Sequence, residues 1–396
     1  MLAHSPPLPL IIDLAGKPYK ITPEDEEGII CALRKRDRVR RIRLHMPVPV
    51  LQKLLTAIGG EFPLLEYLFI SPPAKQNTDL VVPKTFRAPH LRHLILINFA
   101  LPIQSPLLTR TAGLVMLSLG FIPPSVYFNP GDLLARLSLM PQLEILRVNF
   151  HSPIPNRDVR RQLFHTPITT HVTLPNLHWF GFGGASAYLE ALLSRMTTPL
   201  LDKLQVVFSH QLTFSVPCLL HFMSTMENLR VSHARLVFNE NGFFLRVYPS
   251  EEARAYSFYL SVRCDHVDWQ VASAVQILNM LNPSLSGVVN LILNPEGHTS
   301  LSEGHDETYR THWREILRSF NNVKTIRVPN GLVEELSRSL QVNGGELPLE
   351  LLPELKSLEY FSNGDGRAAF TPFQDVRLIA GHPVNLVPRG TRSARR

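Results

Sequence analysis

One short pattern, an apolar residue followed by x-x-apolar-x-apolar, recurs along this chain and limits its fold more than any other feature. It reads Leu65-x-x-Leu68-x-Ile70, Leu91-x-x-Leu94-x-Leu96, Leu114-x-x-Leu117-x-Leu119, Leu143-x-x-Leu146-x-Val148, Leu177-x-x-Phe180-x-Phe182 and Leu201-x-x-Leu204-x-Val206. Further copies open at Val39, Val288, Val323 and Leu355. Where copies follow one another, their starts lie roughly 23 to 35 residues apart. One copy carries no information, because any apolar sequence produces it by chance. About ten in phase describe units that cannot bury their apolar faces alone and must stack.

Between triads the period changes from two to about 3.6. Leu51, Leu54, Leu55 and Ile58 share one helical face, and Gly59-Gly60 ends that helix. Asp132–Met140, Ala187–Met196, Val216–Met226, Asp268–Leu281, Tyr309–Phe320 and Leu332–Val342 are similar amphipathic pieces. Pro63, Pro89, Pro141, Pro175, Pro199 and Pro353 each stand two residues before a triad, where proline stops a helix and favours extended backbone. At the N-terminal end, Leu8–Asp13 reads as a strand, and Thr22-Pro23-Glu24-Asp25 as a capped helix start running to about Arg36. His233–Phe238 and Phe243–Tyr248 read as a hairpin and Tyr256–Val262 as a strand, in a region where the repeat degenerates. The expected fold class is α/β: a leucine-rich-repeat solenoid (horseshoe) of about ten to twelve irregular repeats, with an inner parallel β-sheet and outer helices or turns. Residues 1–362 form the repeat domain; 363–396 form a C-terminal cap and a flexible basic tail.

With 396 residues, 44% of them apolar and 18% charged, the chain is no disordered segment. No apolar run reaches the roughly 18 residues that span a bilayer, and the start Met1 to Pro9 lacks the build of a secretory signal. Three widely spaced cysteines and no N-x-S/T acceptor favour a reducing setting, cytoplasmic or nuclear. The net charge of +7 is partly local. Arg34, Lys35, Arg36, Arg38, Arg40, Arg41 and Arg43 cluster where a helix end is expected to run into an edge strand, and arginines suit the negative end of a helix.

In such a repeat the triad residues face the core, and those between and just after them line the concave side. That places Arg41, Arg43, Tyr67, Phe69, His93, Ile95, Arg147, Trp179, Lys203, Gln205, Asn290, Arg327 and Glu359 on one surface. Aromatic groups among arginines have the composition of protein-interface hot spots. The partner expected from the basic rim is an acidic or phosphorylated protein, bound less tightly as salt rises. RNA binding through the basic N-terminal concave surface is the alternative, but the stripe fades into neutral residues and Glu359.

No catalytic constellation emerges, and the chain reads as no enzyme, with no cofactor and no metal. His298, Glu303, His305, Asp306 and His312 lie close in sequence without the fixed spacing of a metal site. Cys218 and His221 share a helical face, but an apolar helix is where a structural thiol sits. Gly181-Phe-Gly-Gly-Ala-Ser186 lacks the third glycine and the lysine of phosphate-binding loops, and Asn363-Gly-Asp-Gly366 lacks a calcium ligand series.

The proline-led triads PLLEYLFI, PHLRHLIL, PQLEILRV, PNLHWFGF and PELKSLEY resemble the leucine-rich-repeat part of fungal F-box-like proteins, above all the expanded set in mushroom-forming fungi. The stretch PPLPLIIDLAGKPYKITPEDEEGIICALRKRDRVRRIRLHMPVPVLQKLL is similar to the segment opening the repeats in that set. The resemblance covers roughly residues 5–362. It implies that the repeats recognise a protein substrate, while an F-box docks a Skp-type adaptor and the cullin ubiquitin ligase. The chain departs from the pattern at its start, where helix Pro23 to about Arg36 leads directly into a triad. Adaptor and cullin are therefore expected as partners only through an F-box elsewhere.

Overall fold

The computed structural model describes residues 8–15, 21–73, 80–151, 167–209, 213–226, 229, 231–239, 241–263, 267–295, 307–341, 349–361 and 366–389. The fold is α/β, with a large, mostly parallel sheet of 15 strands and helices between them. The last two apolar residues of all ten triads lie on strands of that sheet. Contacts divide the chain into two compact units, Met1–Asp202 and Lys203–Arg396.

The first unit holds β1 (Leu10–Leu14), α1 (Pro23–Leu33), β2 (Val39–His45), α2 (Val48–Ala57), β3 (Tyr67–Ser71), β4 (His93–Ile97), α3 (Pro106–Thr109), β5 (Met116–Ile122), α4 (Pro130–Leu137), β6 (Ile145–Phe150), β7 (Val172–Thr173), β8 (Trp179–Gly184), α5 (Ser186–Leu193) and β9 (Met196–Thr197). Strands β1 to β6 and β8 pair in sequence order, all parallel. β7 and β9 form a separate two-stranded ribbon. Helix α1 starts as expected: Thr22 Oγ1 accepts from the Asp25 amide at 3.2 Å, and the Asp25 carboxylate accepts from the Thr22 amide at 3.0 Å. It stops at Leu33, so Arg36 lies beyond it. The arginine-rich β2 is not an edge strand, because β1 adds outside it.

Register explains the triads. Ile42, Leu68, Leu94, Leu117, Leu146 and Phe180 are cross-strand neighbours, as are Leu44, Ile70, Leu96, Leu119, Val148 and Phe182. All twelve are buried. The recurrent proline has a sharper role than stopping helices. The first triad residue donates its amide to the carbonyl three residues earlier: Leu65 to Phe62, Leu91 to Ala88, Leu143 to Met140, Leu177 to Leu174, Leu201 to Thr198 and Leu355 to Leu352. Proline thus fills the second position of a β-turn, where its fixed φ is already correct. The turn's first residue is buried each time, a core position that the triad does not encode.

The second unit holds β10 (Lys203–Ser209), α6 (Pro217–Ser224), β11 (His233–Asn239), β12 (Gly242–Tyr248), β13 (Phe258–Arg263), α7 (Val267–Leu285), β14 (Asn290–Pro295), α8 (Glu307–Arg318), β15 (Thr325–Val328), α9 (Val333–Leu340), β16 (Ser357–Phe361), α10 (Gly366–Ile379) and β17 (Asn385–Arg389). The hairpin β11–β12 forms with Asn239 opposite Gly242, as the sequence suggests. Its placement is unexpected. β13 pairs parallel with β10 and antiparallel with β12, so the order runs β10-β13-β12-β11-β14 before the parallel run resumes through β17. The hairpin is inserted into the parallel sheet, and this is why the triad rhythm breaks there. Residues 366–389, which show no repeat in sequence, supply α10 and a strand parallel to β16. The polar stretch with His298, Glu303, His305 and Asp306, and the tail after Gly390, lie outside the described residues.

Candidate functional site

Residues between the triad positions project from the second face of the sheet, and parallel register sets them in rows. In the first unit one row reads Arg41, Tyr67, His93, Met116, Ile145, Trp179. The next reads Asp13, Arg43, Phe69, Ile95, Ser118, Arg147, Gly181. The eight positions expected in this unit therefore all lie on one face and are half-buried. Met116, Ile145, Ser118 and Asp13 belong to the same rows and were not singled out from sequence, though the same spacing identifies them.

Guanidinium groups lie on rings here. Arg41 Cζ is 4.5 Å from the Tyr67 ring centre, Arg43 Cζ 5.7 Å from Phe69, and Arg147 Cζ 4.1 Å from Trp179. Such contacts hold a cation in place. Asp13 lies 3.9 Å from Arg41 and 3.6 Å from Arg43, too long and too exposed for strong pairing. Tyr67 and His93 are 5.5 Å apart ring to ring. Burial, then the charge of Arg92, lowers the His93 pKa below the ordinary 6.5. Gly181 and Gly183 lie in β8, beside Arg147 and Asn149 of β6. A Cβ on Gly181 would meet Arg147 Cγ at 3.2 Å, and one on Gly183 would meet Asn149 Oδ1 at 2.3 Å. Gly181 thus leaves room for the Arg147 side chain to lie across the strand toward Trp179, and Gly183 leaves room for Asn149. They are not a phosphate-binding turn.

In the second unit the corresponding face is reordered by the hairpin. One row reads Gln205, Tyr259, Arg246, Arg235, Ile292, Arg327, Glu359. Lys203 Nζ sits 4.5 Å from the ring centre of Tyr256, whose hydroxyl donates to Gln205 at 3.3 Å. Asn290 Nδ2 lies 2.8 Å from His233 Nε2. Arg327 is on the expected face, but its charge is already matched, by Glu251 at 2.7 Å and Glu359 at 2.7 Å. Glu359 also accepts from Arg389 at 2.8 Å. Burial works against the Glu359 carboxylate, yet the hydrogen bonds from Arg389 and Arg327 and their charges outweigh it and hold its pKa below the ordinary 4.5. The sequence reading missed Arg235, Phe244, Arg246, Tyr256 and Tyr259. All but Tyr256 lie on strands that were legible, but which strand neighbours which was not.

Among the described residues no group of three or more His, Cys, Asp or Glu side chains is placed to hold a metal. Cys218 is half-buried on α6 and His221, one turn on, is exposed. No described helix is long and apolar enough to cross a membrane. No protein-family model matches the chain. None of the curated proteins matches it either.

Proposed function

We propose that this chain is a non-catalytic protein-recognition module. In this reading the repeats stack as a leucine-rich-repeat horseshoe with the sheet on its inner side, and the ring-and-guanidinium face of that sheet grips a protein partner. The observation that carries it is the set of three guanidinium–ring contacts on the first unit's face, at Tyr67, Phe69 and Trp179. Side chains that could be solvated polar groups at no cost are instead large apolar rings, half-buried beside pre-positioned cations. That is the composition of interface hot spots, where Trp, Tyr and Arg dominate. Met116 and Ile145 interrupt the rings along the row, which suits a protein surface better than a strand of stacked bases.

The fixed positive charge favours an acidic or phosphorylated partner. By the resemblance of the triads, that partner is a substrate for ubiquitination only if an F-box elsewhere engages the Skp-type adaptor and cullin. Affinity capture by the wild type, and by a variant with Tyr67, Phe69 and Trp179 all changed to Ala, tests the reading. The variant is expected to keep its melting temperature within a few degrees and to lose the specific partner. Unchanged capture sinks the assignment, and so does a wild type that binds only single-stranded RNA.

A further inference from the structure

In the second unit, β11 and β12 bring Arg235 and Arg246 directly opposite one another. Like charges in that position are destabilising. Among the described residues, neither arginine has a carboxylate partner. The acids that face this part of the sheet are already engaged, Glu251 and Glu359 with Arg327 and Glu359 also with Arg389. An uncompensated arginine pair on adjacent strands costs stability, and such a cost is typical of a site kept for a ligand.

The surroundings say what kind of ligand. Arg246 Cζ sits 4.6 Å from the ring centre of Phe244 and 5.9 Å from that of Tyr259. Those two rings are themselves stacked, 6.0 Å apart with planes 29° apart. A guanidinium resting on rings keeps its N–H edge free for a planar, two-point contact with an oxyanion. Arg235, also half-buried, supplies a second guanidinium one strand away. Val237 and Phe244 are buried, and the half-buried groups beside the pair on the same face are Ile292 next to Arg235 and Tyr259 next to Arg246. Charge for a dianion thus adjoins a shelf for a ring.

We propose that Arg235 and Arg246 bind the phosphate of a phosphotyrosine side chain, with its ring against Tyr259. The proposal rests on the recognition reading only in taking the carrier to be a protein. The guanidinium pair belongs to the second unit and is tested without the partner of the first.

Titration of the full chain with phenyl phosphate, inorganic phosphate and a short phosphotyrosine peptide, followed by calorimetry, is the experiment. The peptide and phenyl phosphate are expected to bind, and inorganic phosphate on the order of tenfold more weakly. Arg235→Gln and Arg246→Gln should each weaken peptide binding by on the order of tenfold, as loss of a charged hydrogen-bond pair does. Both variants should melt at or above the wild-type temperature in low salt, because the repulsion is relieved. That combination separates a ligand site from a structural role. Equal binding of inorganic and phenyl phosphate overturns the proposal, as does wild-type affinity in both variants or preference for an RNA oligonucleotide. Failure here with loss of capture in the Tyr67, Phe69 and Trp179 variant would remove this site and leave the first-unit surface standing.

Discussion

At the scale of single residues, the second face divides into groups whose charge is matched and groups whose charge is not. Glu359 is the best matched, taking hydrogen bonds from Arg327 and Arg389 on the strands to either side. Its folded pKa is depressed, so its contribution is present above the unfolded value near 4.5 and lost as pH falls through the lower folded value. Acid unfolding followed by circular dichroism should show this. The wild type is expected to lose stability below pH 4.5 more steeply than Glu359→Gln, and parallel curves would show that the carboxylate carries no linkage. Arg327, Glu359 and Lys203 were nameable from sequence as residues of one face. Their partners were not, because Glu251 lies far along the chain and reaches Arg327 only through the inserted hairpin. The Arg235–Arg246 pair was hidden for the same reason: alternation marks two strands, but only pairing sets the arginines opposite one another.

At the scale of elements, the repeat is a β-turn, a strand and a connecting segment, and proline earns its recurrence in the turn. The turn Thr111–Leu114 has the same hydrogen bond, from the Leu114 amide to the Thr111 carbonyl at 3.2 Å, with Ala112 where other repeats have proline. Ala112→Pro is therefore expected to raise unfolding free energy by about 0.4–1 kcal/mol, mainly by restricting the unfolded chain. Chemical denaturation measures this directly, and a destabilised variant would mean that the turn is not of the type assigned. Strands and most helices were legible because apolar spacing is a local property. Helix ends were less so: α1 stops at Leu33 and α4 spans Pro130–Leu137, since capping and turn formation end a helix before its apolar stripe does. β17 was missed because its strand, Asn385–Arg389, has no buried apolar pair to announce it.

At the scale of the molecule, a net charge of +7 and two α/β units describe a chain whose sheet has one face given to the core and a second face that carries the guanidinium–ring contacts. The core face was written almost wholly in the triads. The second face was legible in the first unit, where strand order follows chain order, and only partly in the second, where it does not. Both halves depend on strict alternation along each strand. Single cysteines placed along β3 and β4, with Cys31, Cys218 and Cys264 changed to Ser, test that alternation by the rate of maleimide labelling. Cysteines in place of Tyr67, Phe69, His93 and Ile95 should react at least about tenfold faster than those in place of Leu68, Ile70, Leu94 and Leu96, which label only on opening. Equal rates at the two sets, or faster labelling at the leucine and isoleucine positions, would contradict the division of the sheet into a buried core face and an accessible second face.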